Sequence, residues 1–436
     1  MIRCLAPELL RGKRVAMSDC LLTSATPGSL VAAMYADIKV GGVESWSLRM
    51  LRDASKRGLR AVAALLREPN SADASIQEMP DGVTRFDVRM FSWRAFQAAL
   101  LCCPPGLAPA CIIPNYSLEL YALCAWWSME ERPQEIRTIG MCHTDDPWWY
   151  WLLSCYEPII HRFVAVSEEC AHGLGRMIPH RAADIVTRPY GIDLPPAAER
   201  TYSGGGEPLQ LLYAGRMIER QKRISDLLRL SEILVKRSVD FQLRVVGDGP
   251  QKATFVRRAG RLAPEVRGRL RVEPGVHHSA MPALLQSADV AVLVSAFEGT
   301  SLFMLEAMAN GTVPVVTDVS GTRELIRSGI TGWRVPVGDL EAMADALNVL
   351  ALDRAKLAGL GQAARRAVED YTQEAYSEWF FRLLDEVWNE PPRRWPVGRR
   401  VLPFSRELSS RLFDYLPGWY AGLKTVREDI FRRFGI

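Results

Sequence analysis

No cysteine occurs after Cys170 in this 436-residue chain. The nine that it has (Cys4, Cys20, Cys102, Cys103, Cys111, Cys124, Cys142, Cys155 and Cys170) are odd in number and include no Cys-x-x-Cys pair. That indicates neither a disulfide framework nor a thiolate zinc site, and it suits buried free thiols in a reducing compartment. Asp-x-Asp motifs and His/Cys clusters are also missing, so no metal or other cofactor is expected. No run of eighteen apolar residues occurs, and the most apolar stretch, Phe96 to Pro114, is broken by Pro104, Pro105 and Pro109. A membrane-spanning helix is therefore not expected. The first twenty residues lack a signal-type apolar core, which predicts a cytoplasmic protein. Charge of one sign does not dominate: 54 Lys and Arg face 50 Asp and Glu, for a net +4. With no RNP-type signature, zinc-finger spacing or basic arm, nucleic acid is not an expected partner. Repeats and low-complexity blocks are absent.

What is present is a two-domain α/β pattern. The chain is longer than one hydrophobic core usually supports. Its most informative stretch runs from Asp289 to Arg323. The apolar run Val290–Val294 reads as a buried parallel strand. Ser295, Glu298, Gly299, Thr300 and Ser301 follow as loop and helix-start residues. A helix with Leu302, Leu305 and Met308 on its apolar face stops at Asn310-Gly311, and a second strand spans Val313 to Thr317. The loop therefore lies at the carboxyl end of a strand, where open α/β sheets bind ligands. Glu298 and Glu306 are separated by seven residues. Between them, the amides of Gly299, Thr300 and Ser301 can point at an anion with the helix dipole behind them. Amides flanked by two hydroxyl-seeking carboxylates suit a sugar nucleotide. On spacing alone, a loop Glu and a solvated helix Glu fit as well.

Along the chain, residues 1–28 read as an extension carrying Arg11, Lys13 and Arg14. Leu30–Tyr35 is a strand, and Gly41-Gly42 open a helix from Val43 to about Lys56 with Val43, Trp46, Met50 and Ala54 on one face. Strand, glycines and helix in succession let backbone approach a phosphate, although two glycines are also ordinary turn chemistry. Leu59–Leu66 is a strand and Ser71–Thr84 a loop. Leu118–Met129 is a helix and Ile136–Cys142 a strand with His143 at its end, well placed for catalysis or for a turn capped by Asp145 or Asp146. Of Trp148, Trp149 and Trp151, one is read as a flat surface for stacking a sugar and the others as packing. Phe163–Ser167 is the last strand of the first domain, with Ser167 as the next helix's N-cap.

Pro195-Pro196 and Ser203–Gly206 read as a hinge. Leu209–Ala214 is a strand followed by Gly215-Arg216 and then Gln221-Lys222-Arg223. Arg216 and Lys222 on a strand-to-helix connection could clamp a diphosphate, and basic residues at a helix start oppose its dipole, so a structural role is less natural. Phe241–Val246 leads into Gly247-Asp248-Gly249-Pro250. As a dinucleotide fingerprint this is poor, because Lys252 stands where the third glycine belongs. His277 and His278 read as exposed loop residues. A helix from Ala375 to Trp388 should return to the first domain. Beyond Pro391-Pro392, six arginines (Arg393, Arg394, Arg399, Arg400, Arg406, Arg411) mix with Trp395, Phe404, Phe413 and Trp419. Such a tail suits either a strap on the first domain or a peripheral contact with an anionic membrane surface.

Several of these segments resemble the GT4 family of retaining glycosyltransferases. EGTSLFMLEAMANGTVPVV resembles the family's E-x7-E segment, YAGRMIERQKRISDLL its phosphate-holding segment, VGDGP its second-domain turn, and Gly41-Gly42-Val43-Glu44 its glycine loop beside the donor diphosphate. The similarity covers about residues 30 to 388 and is strong from 209 to 340. It implies a GT-B fold, an α/β architecture of two Rossmann-like β/α/β domains facing across a cleft, here with a C-terminal helical tail. The implied division is 1–28 extension, 29–195 acceptor-side domain, 196–370 donor-nucleotide domain, 371–390 crossover helix and 391–436 basic, aromatic tail.

The resemblance also implies roles. His143, Glu298, Arg216 and Lys222 would be catalytic, with Glu298 and His143 at the donor sugar. Gly41, Gly42, Gly215, Arg216, Lys222, Gly299, Thr300, Ser301 and Glu306 would bind the donor, Glu306 at the ribose. Thr300-Ser301 stand where the family often has Pro or Phe-Gly. The implied reaction is metal-independent transfer, with retention, from a UDP- or GDP-linked sugar to a hydroxyl of a glycan or lipid-linked acceptor, in cell-surface polysaccharide or glycoconjugate biosynthesis. The alternatives are a catalytically silent nucleotide-sugar-binding or scaffold module and, against the poor glycine fingerprint, a nucleotide-dependent oxidoreductase.

Overall fold

Strands such as Ser29–Tyr35 and Val290–Leu293 carry apolar residues on both faces, and in the structure helices cover both faces, leaving the strands buried. This computed structural model describes residues 28–35, 41–67, 79–89, 110–129, 135–196 and 200–397. Two wholly parallel sheets form. The first contains β1 (Ser29–Tyr35), β2 (Arg60–Arg67), β3 (Val83–Arg89), β4 (Ala110–Ile113), β5 (Ile136–Cys142), β6 (Arg162–Ala165) and β7 (Ile185–Thr187), in the order 3-2-1-4-5-6-7. The second contains β8 (Leu209–Ala214), β9 (Phe241–Val246), β10 (Leu270–Glu273), β11 (Val290–Leu293), β12 (Val313–Thr317) and β13 (Trp333–Val335), in the order 10-9-8-11-12-13. Each order reverses direction once, between β1 and β4 and between β8 and β11. Such switch points open a crevice at the carboxyl ends of the strands.

The predicted helix Leu118–Met129 and strand Ile136–Cys142 form with those bounds, and Ser167 caps its helix by accepting from the Cys170 amide at 3.2 Å. The expected loop through Thr84 is wrong at its end, because Val83 and Thr84 begin β3. The sequence VTRFDVR alternates and carries charge, and only pairing with β2 makes it a strand. The three tryptophans lie on a helix, Pro147–Cys155. There Trp149 and Trp151 are buried, and Trp148 is half-buried against Trp151.

Two chain crossings join the sheets, and they run side by side. Ile192 pairs with Thr372, with the Ile192 amide donating to the Tyr371 carbonyl at 2.8 Å and the Gln373 amide to the Ile192 carbonyl at 2.9 Å. Ser203, expected in the hinge, is instead fastened to the second sheet, its amide donating to Asp289 at 2.9 Å. The helix Gln373–Asn389 returns to the first domain. There Tyr376 accepts from the Trp46 indole at 3.0 Å and Gln373 donates to Asp53 at 3.2 Å. The start of the tail is a strap: Trp395 is buried against Tyr156, and its amide donates to Ser128 at 2.9 Å. The extension through residue 27 and the tail from 398 lie outside the described residues, as do Cys4, Cys20, Cys102 and Cys103. Cys111, Cys124, Cys142, Cys155 and Cys170 are free thiols. Among the described residues, no helix is long and apolar enough to cross a membrane.

Candidate active site

The loops after β8 and β11, the strands flanking the second sheet's switch point, carry most of the residues singled out by sequence. Gly215 and Arg216 follow β8. Their backbone is buttressed by the loop after β9: the Gly215 amide donates to the Val246 carbonyl at 3.0 Å and the Met217 amide to the Asp248 carbonyl at 2.8 Å. A Cβ on Gly247 would lie 2.0 Å from the Gly215 carbonyl oxygen, so this approach needs glycine there. The glycines of VGDGP thus shape the Arg216 loop. Among the described residues, the half-buried Arg216 guanidinium makes no hydrogen bond or ion pair.

Lys222 ends the short helix Glu219–Lys222 and points to Glu298, with Nζ 2.5 Å from Oε1. The same carboxylate accepts from Ser295 Oγ at 2.6 Å and from Gln221 Nε2 at 3.4 Å. Glu298 therefore joins the two loops of the switch point, and the ion pair that it makes is largely buried, with side chains 16% and 6% exposed.

The Glu298–Ser301 loop also meets the first domain. Gly299 bridges Thr144 in antiparallel fashion, and the Asp145 amide donates to the Glu298 carbonyl at 2.9 Å. A Cβ on Gly299 would lie 2.2 Å from the His143 carbonyl oxygen, which fixes glycine at this position. Thr300 donates its hydroxyl to the Val166 carbonyl at 2.5 Å, and Ser301 caps the helix Leu302–Ala309, accepting from the Met304 amide at 3.4 Å. Both side chains are spent on structure, so any donor contact from this loop falls to backbone amides. Gly41 precedes the helix Gly42–Lys56, and Gly42 lies near Leu302 of the second domain. Residues 36–40 are outside the described set.

His143 sits at the carboxyl end of β5 as expected, but its ring is buried and turned into the first domain. Nδ1 shares a hydrogen bond with Tyr190 Oη at 2.6 Å and Nε2 one with Asn115 Oδ1 at 2.9 Å, while the indoles of Trp46 and Trp149 present edge contacts. Burial pulls its pKa down to about 3, so the ring is neutral. Its carbonyl is the part that packs on the Gly299 loop.

Glu306 lies in the second turn of Leu302–Ala309 and meets residues that the sequence reading did not assign to the site. Arg49, from the helix Gly42–Lys56, places Nη2 3.2 Å from Glu306 Oε1, and His278 Nδ1 is 3.6 Å from the same oxygen. Asp193, in the first crossing, completes the group at 3.7 Å from both Arg49 and His278. Burial raises the Glu306 pKa, against the opposing pull of His278 and Arg49. The expectation that His277 and His278 are plain exposed loop residues fails for His278, which joins this cluster across the domain boundary. His277 caps its own turn. The missed signal was Arg49 itself, a buried arginine between Trp46 and Met50 of the helix's apolar stripe. Asp193 and His278 carried none, because only tertiary folding brings them there. Among the described residues, no group of three or more His, Cys, Asp or Glu side chains is arranged to hold a metal.

Residues 208–353 match the family model for glycosyl transferases group 1. That segment is similar to the group 1 glycosyltransferases. Two relatives agree. A putative colanic acid biosynthesis glycosyltransferase, WcaL, of Escherichia coli K12 is 30% identical over 53% of this chain and 59% of its own length. A phosphatidyl-myo-inositol mannosyltransferase of Mycolicibacterium smegmatis is 31% identical over 47% of this chain and 53% of its own. The chain thus spans between half and three fifths of the length of these curated relatives. Among solved structures, sucrose-phosphate synthase from Thermosynechococcus elongatus superposes with a TM-score of 0.66 at 19% identity, covering 83% of this chain and 99% of that one. Anabaena HepE in complex with UDP and glucose gives 0.65 at 15% identity, covering 82% and 99%. The chain therefore has a GT-B architecture of two α/β domains, with the matched segment in the second.

Proposed function

We propose that the protein is a retaining glycosyltransferase of the GT4 type, transferring a sugar from a UDP- or GDP-linked donor to a hydroxyl of a glycan or lipid-linked acceptor, in cell-surface polysaccharide or glycoconjugate biosynthesis. The observation that carries this reading is the pairing of Lys222 with Glu298 at the switch point, beside the guanidinium of Arg216, which has no partner among the described residues. A diphosphate entering there meets one free cation and one cation that can turn from Glu298 toward it. Two cations offset the negative charge that builds on the departing diphosphate, and in a crevice shielded from water such charges act strongly. Side-chain cations and loop amides then take the place of a metal. The relative named for colanic acid biosynthesis and the neighbour solved with UDP and glucose support the substrate classes.

In this reading Glu298 faces the donor sugar from the second domain, with Lys222 held ready at its Oε1. His143, neutral and fixed by Tyr190 and Asn115, shapes the facing wall, and its carbonyl sets the height of the Gly299 loop. The acceptor hydroxyl attacks from the face that the diphosphate leaves, which retains configuration. The test is a thermal-shift panel of UDP, GDP and their common sugar conjugates, followed by NMR assignment of the product's anomeric configuration. A nucleotide at 100 times its Kd should stabilise the protein by about 2.7 kcal/mol. Failure of every UDP and GDP compound to bind would overturn the proposal. Binding without transfer or donor hydrolysis would favour a silent nucleotide-sugar module.

A further inference from the structure

Arg49 belongs to the first domain, yet its charge is delivered to the second. It is buried, with 7% of its side chain exposed, and uses both terminal nitrogens. Nη1 donates to the Gly191 carbonyl at 3.1 Å, and Nη2 donates to Glu306 Oε1 at 3.2 Å and to His278 Nε2. With Nε2 accepting, the His278 proton lies on Nδ1, on the side of Glu306 Oε1. Both partners converge on one carboxylate oxygen. Among the described residues, Oε2 of Glu306 accepts no hydrogen bond.

We propose that Arg49 is a positioning residue of the nucleotide site: it holds Oε1 of Glu306 together with His278 and leaves Oε2 to accept the hydroxyls of a ribose. The inference rests on the donor-site reading of Glu306 given above and adds a first-domain residue to it. The chemistry requires such a residue. A carboxylate that accepts two hydroxyl protons must be charged, and burial works against that charge. A guanidinium fixed at three acceptors supplies the counter-charge in one geometry, which a flexible ammonium cannot copy. Because Arg49 is anchored to Gly191 at the crossing, the ribose acceptor is complete only while the first domain stands in place. Recognition of the nucleotide is thereby tied to the docking of the first domain against Glu306.

The experiment compares the affinities of UDP and GDP with those of their 2′,3′-dideoxy forms in the full chain, for wild type, Glu306→Gln, Arg49→Ala and Arg49→Lys. The ratio is read within one protein sample, so a lost folded fraction does not move it. Wild type should prefer the ribose form of the nucleotide that it binds by roughly tenfold or more, as befits hydrogen bonds to a charged acceptor. The preference should fall to within about threefold in Glu306→Gln and Arg49→Ala, with Arg49→Lys between the two. If Glu306→Gln loses the preference while Arg49→Ala and Arg49→Lys keep it in full, the role of Arg49 is overturned and the reading of Glu306 stands. If Glu306→Gln keeps it, Glu306 is not the ribose acceptor and both fall. Should Arg49→Ala not fold, Arg49→Lys decides alone, since undiminished preference there overturns the proposal.

Discussion

Lys222 and Glu298 form a hydrogen-bonded ion pair, Nζ to Oε1 at 2.5 Å, between the loops that follow β8 and β11. One of the two cations proposed for the phosphates is thus stored on the acid expected at the sugar, while the other, Arg216, stands without a partner among the described residues. The two cations therefore fail differently when removed.

Arg216→Ala should lower kcat and kcat/KM together, because it removes charge stabilisation of the leaving group, while thermal stability stays near wild type. Lys222→Ala should lose both activity and stability. Stranding the largely buried Glu298 costs on the order of 3–5 kcal/mol. Lys222→Met combined with Glu298→Gln should recover stability without activity. Denaturant unfolding and donor kinetics on all three decide this, and wild-type turnover in Arg216→Ala would remove it from the phosphate site.

Activity should persist in excess EDTA, because the proposed mechanism draws its cations from side chains. Complete loss on chelation, restored by Mg²⁺ or Mn²⁺, would contradict the metal-free mechanism.

The two glutamates should separate ground-state binding from chemistry. Glu306→Gln weakens contacts far from the reacting carbon, so it should mainly raise KM for the donor and weaken binding of the bare nucleoside diphosphate. Glu298→Gln should mainly lower kcat and leave nucleoside diphosphate binding near wild type. The reverse pattern would mean that sugar and ribose occupy opposite ends of the motif from those assigned.

Truncation after Glu390 should destabilise the protein while nucleotide binding persists in the folded fraction. It removes Trp395, which is buried against Tyr156, and truncating a buried aromatic costs about 3 kcal/mol or more. Trp395→Ala should reproduce most of the loss. An unchanged melting temperature in both would show that the strap contributes nothing.

Acid should unfold the protein in a window set by two buried imidazoles. His143 and His161 are both pulled from near 6.5 to about 3, first of all by burial, and for His161 also by Arg137, Arg393 and Arg181. Between these pH values the unfolded chain binds protons that the folded chain refuses. Stability should therefore fall as pH drops from about 6.5 to 3, by about 1.4 kcal/mol per unit for each group. His161→Asn should flatten that slope, measured as unfolding free energy against pH, and an unchanged slope would exclude His161 as a source.

Local pattern determined a large part of this protein. The alternation of apolar strands and helices, the caps at Ser167 and Ser301, and the placement of Arg216 and Glu298 on strand-to-helix loops follow from periodicity and turn chemistry within a few residues, whereas Lys222 ends a short helix within its connection. β3 escaped because its charged, alternating sequence acquires strand geometry only from β2 beside it. The side-chain partners escaped for a deeper reason. Which atoms His143 faces, which cation Glu298 holds, and the meeting of Arg49, Asp193, His278 and Glu306 depend on chain segments up to 257 residues apart. Sequence spacing constrains contacts along one helix or one turn, whereas those distances are set by how two sheets dock and how two crossings lie side by side. The residue types at the site were therefore legible in the sequence, and their pairing was decided only by the tertiary structure.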